Sequence, residues 1–416
     1  VWPKHWKELT VTWSIAGTMH QMPAQACRKA SMKTTATILI MMEVLGSCHS
    51  KKTINMDETD KILTEQVKCN KTPSVQYVHF NQDSIIKSFK MGFADIAKRK
   101  EVDLSVTYNA FSVTKTFTAL AILQMSGKGL IDINKPVIQY LPEFPYGTDI
   151  TVKQLLNHTA GIPNPVPLDW IHTESEHKFF DRDTFFNTIF EINSKTKSGP
   201  NEKFAYSNLG YVILGQLIEK VSGTTYEDYV TENIIRKLPV NPDDLTFDDI
   251  NLETHAIGYH KKLSFSYLLL GFFIDKSKFM GEVTGKWRSF KKYYVNGAPY
   301  GGLIGTPAAF VTYLQELLRT DNSLISDEYR QLLFQENITN KGENTGMCLS
   351  WFSGELDGNR YFAHAGGGGG YYCEIRLYPD IKKGSVIFTN RTGMSDKRFL
   401  DKPDKFLINN KFYTEK

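Results

Sequence analysis

The chain has 416 residues, 41% hydrophobic and 23% charged, a length that at roughly 150 residues per domain allows two to three domains and a sizeable core. Forty-nine Lys and Arg against 45 Asp and Glu leave a formal charge of +4, spread without a dominating block, which argues against a dedicated nucleic-acid binder or an acidic tail. The composition also excludes disorder, collagen and coiled coil, and the five cysteines, at 27, 48, 69, 348 and 373, form neither a disulfide scaffold nor a C-x-x-C pair for zinc or redox chemistry.

At the start of the chain, Met32 and Lys33 precede a short apolar stretch over 36–45 that ends in Leu45-Gly46-Ser47-Cys48. A basic start, an apolar stretch and small residues before a cysteine resemble a bacterial lipoprotein signal peptide. On that reading residues 1–31 lie upstream of the true start, 32–47 are removed, and Cys48 carries lipid that anchors the chain to a membrane of the cell envelope. Glu43 breaks the apolar stretch, and a buried or interfacial helix is the alternative. Residues 48–73 are polar and aperiodic and read as a tether.

Residues 75–80 and 86–94 read as strands around a polar turn at 81–83, and Lys98-Arg99-Lys100 as a solvated turn. A helix follows over 112–126, with Phe117, Leu120, Ala121 and Leu123 on one side and Gly127 and Gly129 as stops. A second, over 208–221, carries Tyr211, Leu214, Leu217, Ile218 and Val221 at helical spacing and stops at Gly223. Thr224 and Glu227 read as a capping box for a third. Residues 238–300 show no clear period and read as loops plus an insertion. Within them 263–274 is the longest apolar run, too short to cross a bilayer, and reads as core. Thr306 and Pro307 begin a helix with Phe310, Val311, Leu314, Leu317 and Leu318 in one stripe. Tyr371, Cys373, Ile375 and Leu377 then alternate with Tyr372, Glu374 and Arg376, and a Pro379-Asp380 turn leads to 385–389, an antiparallel pair. Strands at both ends and helices between them predict an α+β fold. Its sheet part would be 74–125 and 300–416, with a mostly helical part, 126–299, inserted.

Three groups of residues carry possible chemistry. Ser112-Val113-Thr114-Lys115 places a serine and a lysine on one face at a helix start. A desolvated lysine there can activate a serine, and free helix N–H groups can hold an oxyanion. The alternative is a helix cap. Tyr206-Ser207-Asn208 stands directly ahead of the second helix, where a phenol near a lysine can shuttle protons. Its alternative is a cap with a packed tyrosine. His364-Ala365-Gly366-Gly367 precedes the alternating strand, and its glycines let a substrate approach the strand edge. A flexible loop is the plainer reading.

The order and spacing of these groups resemble the serine β-lactamase and penicillin-binding protein superfamily, nearest the class C β-lactamases, D-alanyl-D-alanine carboxypeptidases and related esterases. The resemblance covers roughly 75–395 and includes Leu141-Pro142-Glu143-Phe144-Pro145, the segment around His158 and Gly301-Gly302-Leu303. It implies an antiparallel sheet flanked by helices, with no cofactor or metal. Ser112 would be the acylated nucleophile, Lys115 its activator, Tyr206 the general base and acid, and Asn208 a bridge between Lys115 and a substrate amide. Gly366 and Gly367 would line the substrate strand, the N–H groups of Ser112 and Gly367 forming the oxyanion hole. His364 stands where the family places a lysine that binds the substrate carboxylate, so that recognition would be weaker or pH-dependent. No E-x-x-L-N segment supplies a separate deacylation glutamate, so deacylation would fall to Tyr206. His158 is expected to stabilise a turn, and Cys348 and Cys373 to be structural.

The resulting expectation is a serine hydrolase forming an acyl-enzyme on a small amide or ester. The substrate order is a cell-wall D-amino-acid peptide, then a carboxylic ester, then a β-lactam. The rival from another class is an inactive domain that binds or senses cell-wall peptides. The joint presence of Ser112, Lys115 and Tyr206 favours the enzyme.

Overall fold

The computed structural model describes residues 57–247, 251–392 and 398–408. The signal-like segment 32–47 and Cys48 lie outside them. Seven strands make one antiparallel sheet: β1 (Ser74–Asn81), β2 (Ile85–Asp95), β3 (Lys100–Glu101), β4 (Phe352–Leu356), β5 (Asn359–Gly368), β6 (Tyr371–Tyr378) and β7 (Lys383–Thr389). Their spatial order is β4-β5-β6-β7-β1-β2-β3. β1 pairs with β7, Val75 opposite Thr389 and Asn81 opposite Lys383, so the two distant parts of the chain close one sheet, as an α+β fold requires.

The period-2 alternation of the strands divides two cores. Val75 and Tyr77 of β1, with Tyr372 and Ile387, face a small cluster, whereas Val78, Phe80, Cys373, Ile375 and Phe388 face the main one. The small cluster is covered by α1 (Glu58–Lys68) and α6 (Asp401–Ile408), which contribute Leu63 and Leu407. The main cluster is covered by α2 (Thr114–Gly127) and α5 (Pro307–Leu318). Behind α2 pack α3 (Asn208–Ser222) and α4 (Tyr226–Asn233). Because it lies between sheet and helices, α2 is buried on nearly every side, more than the one-sided stripe expected of it.

Four sequence expectations are corrected. The proposed tether contains α1: Asp57 caps it by accepting from the N–H of Asp60 at 2.8 Å, and Leu63 is fully buried against the sheet. The cap of α4 is Thr225, which accepts from the N–H of Asp228 at 3.1 Å, and not Thr224. The insertion expected to be loops holds a three-stranded ribbon, Tyr259–Lys261, Trp287–Phe290 and Met280–Thr284. Its apolar run 263–274 is largely outside the core, with Leu263 89% and Phe272 82% exposed.

The polar side of β6 is covered as well. Arg376, fully buried, pairs with Glu374 and with Asp401 of α6, each at 2.6 Å. Asp404 accepts from Tyr77 and Tyr378, each at 2.8 Å. Buried charges of this kind persist only when each finds a partner.

Candidate active site

The segment Phe111–Val113 is a single 3-10 turn that runs directly into α2. Phe111 has φ 45°, left-handed backbone that a bulky residue adopts only under constraint. The constraint comes from both flanks. The N–H of Ala110 donates to the carbonyl of Leu303 at 2.8 Å, and the N–H of Leu303 donates to Thr114 Oγ1 at 3.0 Å. On the other side β5 passes so close that a Cβ on Gly366 would stand 2.0 Å from the Ala110 carbonyl oxygen. Ser112 is thereby held at the start of α2, beside the glycine-rich end of β5.

Lys115, in the first turn of α2 and three residues on from Ser112, is fully buried, its Nζ 3.1 Å from Ser112 Oγ and donating to the carbonyl of Tyr300 at 2.7 Å. The rings of Tyr206, Tyr300 and Tyr211 surround it, with centroids 5.1, 5.3 and 5.5 Å from Nζ. Among the described residues no carboxylate forms an ion pair with Lys115. Burial therefore pushes its pKa well below the ordinary lysine value. Tyr206, on the loop before α3, donates its hydroxyl to Ser112 Oγ at 3.0 Å. Burial raises its pKa above the ordinary phenol value, opposed by that hydrogen bond. The structure thus brings together the serine, lysine and tyrosine singled out by the sequence, with Ser112 Oγ between two groups able to exchange protons with it.

Other expected site residues are placed differently. Asn208 Nδ2 donates to Asn164 Oδ1 at 3.1 Å, and the backbone N–H of Asn208 reaches the same oxygen at 3.0 Å. No hydrogen bond joins its side chain to Lys115 among the described residues. Its Oδ1 is buried without a protein partner, so the proposed bridge is absent here while an acceptor is left at its place. Gly366 is occupied by the close approach to Ala110, whereas a Cβ on Gly367 would find its nearest neighbour, the Tyr371 carbonyl oxygen, at 3.3 Å. Gly366 is thus a packing position in this arrangement.

His364 is buried, its Nδ1 2.9 Å from the carbonyl oxygen of Ala365, to which the neutral ring donates. Burial, and then the nearby Lys115, push its pKa down to about 3. It is consequently neutral through the physiological range, and the expected pH-dependent binding of a carboxylate by an imidazolium has no basis near neutrality. Cys348 and Cys373 are buried thiols that contact the carbonyls of Phe334 and Ala110 at 3.2 and 3.1 Å. Burial raises both pKa values, and neither thiol has the electropositive setting of a reactive cysteine. Among the described residues no three His, Cys, Asp or Glu side chains converge so as to hold a metal ion.

Sequence reasoning missed the supports. Tyr300 acts through its backbone oxygen, which side-chain identity does not reveal. Asn164 meets Asn208 only through tertiary folding. His158 adopts the turn expected of it, with φ 58°, and its Nδ1 also accepts the N–H of Ser207 at 3.1 Å while its carbonyl accepts the N–H of Ala205 at 2.7 Å. The Tyr206 loop is therefore clamped on both sides of the phenol.

Comparison with known proteins agrees with this fold. The chain is 24% identical over 316 residues to penicillin-binding protein 4* of Bacillus subtilis (strain 168), a match covering 74% of this chain and 66% of that protein; it thus spans about two thirds of the relative's length. Among solved structures, the octameric penicillin-binding protein homologue from Pyrococcus abyssi superposes with a TM-score of 0.67 at 22% identity, over 84% of this chain and 76% of that one. The D-amino acid amidase from Ochrobactrum anthropi SV3, complexed with D-phenylalanine, gives 0.68 at 17% identity, over 84% and 97%. The family model described as Beta-lactamase matches residues 59–409, from α1 past α6, and the chain belongs to that family.

Proposed function

We propose that the protein is a serine hydrolase that forms an acyl-enzyme on Ser112, and that its substrate is a D-aminoacyl amide or ester without a free carboxylate at the leaving side. The observation that carries the chemistry is Ser112 Oγ lying 3.1 Å from Lys115 Nζ and 3.0 Å from Tyr206 Oη. Burial favours the neutral lysine amine over the tyrosinate as the resting base. Ser112 Oγ attacks the substrate carbonyl carbon and its proton passes to Lys115. The resulting oxyanion is held by the N–H groups of Ser112 and Gly367. As the bond to the leaving nitrogen or oxygen breaks, that atom takes the Tyr206 proton, and the proton on Lys115 restores the phenol. Water then attacks the ester of Ser112, gives up a proton to the same pair, and Ser112 recovers its own. This assigns the first proton transfer to Lys115, where the sequence reading gave it to Tyr206.

The substrate reading rests on His364. A neutral imidazole offers a carboxylate no ion pair, which disfavours D-alanyl-D-alanine and penicillins relative to amides and esters. The D-amino acid amidase of the same fold suggests the D-aminoacyl class. Anchoring through lipid on Cys48 at the cell envelope is part of the proposal and is supported by the sequence pattern alone.

The test is intact-mass spectrometry with a fluorophosphonate probe and, separately, a penicillin, beside Ser112→Ala, followed by turnover of D-phenylalanine amide and of D-alanyl-D-alanine. One probe adduct lost in Ser112→Ala, with amide cleaved faster than dipeptide, is the expected result. A folded protein with no adduct would favour an inactive peptide-binding domain.

A further inference from the structure

The insertion between α4 and α5 carries a surface that the hydrolase reading leaves unused. After the ribbon strand Tyr259–Lys261, Ser264 caps a six-residue helix, Phe265–Leu270, by accepting the N–H of Tyr267 at 3.1 Å. Tyr267 and Leu270 turn inward and pack against the main core, and Ile274 is buried behind them. That fixes the segment and points its other side outward. Leu263 is 89%, Phe265 64%, Leu268 64% and Phe272 82% exposed. Single exposed apolar residues are ordinary, but these four, with Phe273 at 40%, make a patch of the kind that marks an interaction surface.

The charges next to the patch in the sequence are mostly positive, with Asp275 the one acid. Lys261 and Lys262 precede it and Lys276 follows it. The nearest acid, Asp275, spends its carboxylate on the N–H and hydroxyl of Ser277 at 2.8 and 2.6 Å. Among the described residues no ion pair engages Lys261, Lys262 or Lys276. A second copy docked on the same face would add a second lysine-bearing rim to the first. An anionic surface would complement them, and an apolar ridge edged by lysines suits a lipid interface.

We infer that this face is a peripheral membrane-contact surface, with Leu263, Phe265, Leu268 and Phe272 entering the headgroup region of an anionic bilayer and Lys261, Lys262 and Lys276 meeting lipid phosphates. Among the described residues no helix is long and apolar enough to span a membrane, so the contact lies along the surface. The inference rests on this segment and is independent of the chemistry at Ser112.

The experiment is co-sedimentation of the 416-residue chain, carrying Cys48→Ala throughout so that no lipid anchor forms, with vesicles of phosphatidylcholine alone or mixed with phosphatidylglycerol. Binding to the mixed vesicles, weakened by high salt and at least about tenfold weaker in Leu263→Asp/Phe272→Asp, is expected. Retained fluorophosphonate labelling and melting temperature in that variant show that the fold is intact, and Lys261→Gln/Lys262→Gln, which leaves the apolar ridge in place, should weaken binding to anionic vesicles selectively. No binding to mixed vesicles, or binding unchanged in the Asp variant, would overturn the proposal. So would a dimer in solution that the Asp variant dissolves while vesicles are ignored, which would assign the face to a second copy.

Discussion

The imidazole of His158 lies against the phenol of Tyr206, ring centroids 4.3 Å apart, while its Nδ1 accepts the N–H of the next residue, Ser207, at 3.1 Å. One buried side chain thus fixes both the face of the proposed proton carrier and the backbone beside it. Burial holds His158 neutral, so it acts through packing and a single accepted hydrogen bond. His158→Ala should cost about 1–3 kcal/mol of stability from the orphaned N–H. It should also slow fluorophosphonate acylation of Ser112 by roughly tenfold or more through misplacement of Tyr206. Stopped-flow acylation and urea melts measure the two effects. A variant that loses stability but acylates at the parental rate would reduce His158 to a turn residue.

The pH profile of acylation should reflect Lys115. Its folded-state pKa is depressed by burial, and the form needed as a base is the neutral amine. The rate should therefore rise as pH increases through a value well below that of an ordinary lysine, with no fall until Tyr206, whose pKa is raised, begins to ionise. Rates of probe labelling across pH, with mass detection, test this. A limb at the ordinary lysine value would show that burial does not depress Lys115 and that it keeps its proton near neutrality.

Acid should destabilise the fold through buried histidines. Burial pushes His79, His255 and His364 down to about 3, whereas the unfolded chain takes up protons near 6.5. Between these values the unfolded state binds more protons, so stability is full above about 6.5 and is lost as pH falls toward 3. Each histidine contributes at most about 1.4 kcal/mol per pH unit over that window. Urea unfolding at pH 7, 6, 5 and 4 should show a falling midpoint. A flat midpoint would mean that these rings are solvated and charged in the native state.

At Arg376 the prediction concerns the sheet. Arg376→Met leaves Glu374 and its neighbours buried without their cation and should cost about 3–5 kcal/mol. The double variant Glu374→Gln/Arg376→Met should recover part of that loss, because it removes the stranded charge. A double variant no more stable than the single one would place the cost in packing of the guanidinium on Tyr361, whose ring centroid lies 4.0 Å away.

What was legible in the sequence is what local chemistry encodes. Thr306 and Pro307 start α5 because a cap and a fixed φ act within one turn, and the end of α3 follows from Gly223 at φ 73°. The grouping of Ser112, Lys115 and Tyr206 was legible because an acyl-enzyme chemistry would call for those side chains together, and the structure places the latter two within 3.1 Å of Ser112 Oγ. α1 was missed because its apolar residues, Ile62, Leu63 and Val67, are few, and its helical state depends on docking against the sheet and α6. The run 263–274 was misread because hydrophobicity does not say which side of the molecule a segment faces. Tyr300 and Asn164 owe their roles to a backbone oxygen and a long-range contact, neither visible in a linear pattern.

The substrate reading makes its sharpest prediction at His364. In the neutral ring nothing attracts a carboxylate, and the same position occupied by lysine would supply a cation near Ser112. His364→Lys should therefore raise the penicillin acylation rate, by about tenfold for one charge-assisted contact, while leaving cleavage of D-phenylalanine amide unchanged or reduced. A second consequence separates charge from shape. A cation there would repel the proton on Lys115 and move the pH limb of acylation lower still, whereas His364→Gln, neutral and polar, would leave that limb in place. Mass-detected penicillin labelling and the pH profile of probe labelling can be run on the same three proteins. If His364→Lys acylates with penicillin no faster than the parent and its pH limb does not move, the side chain at 364 does not reach the substrate, and the preference for uncharged substrates must come from another wall of the cleft.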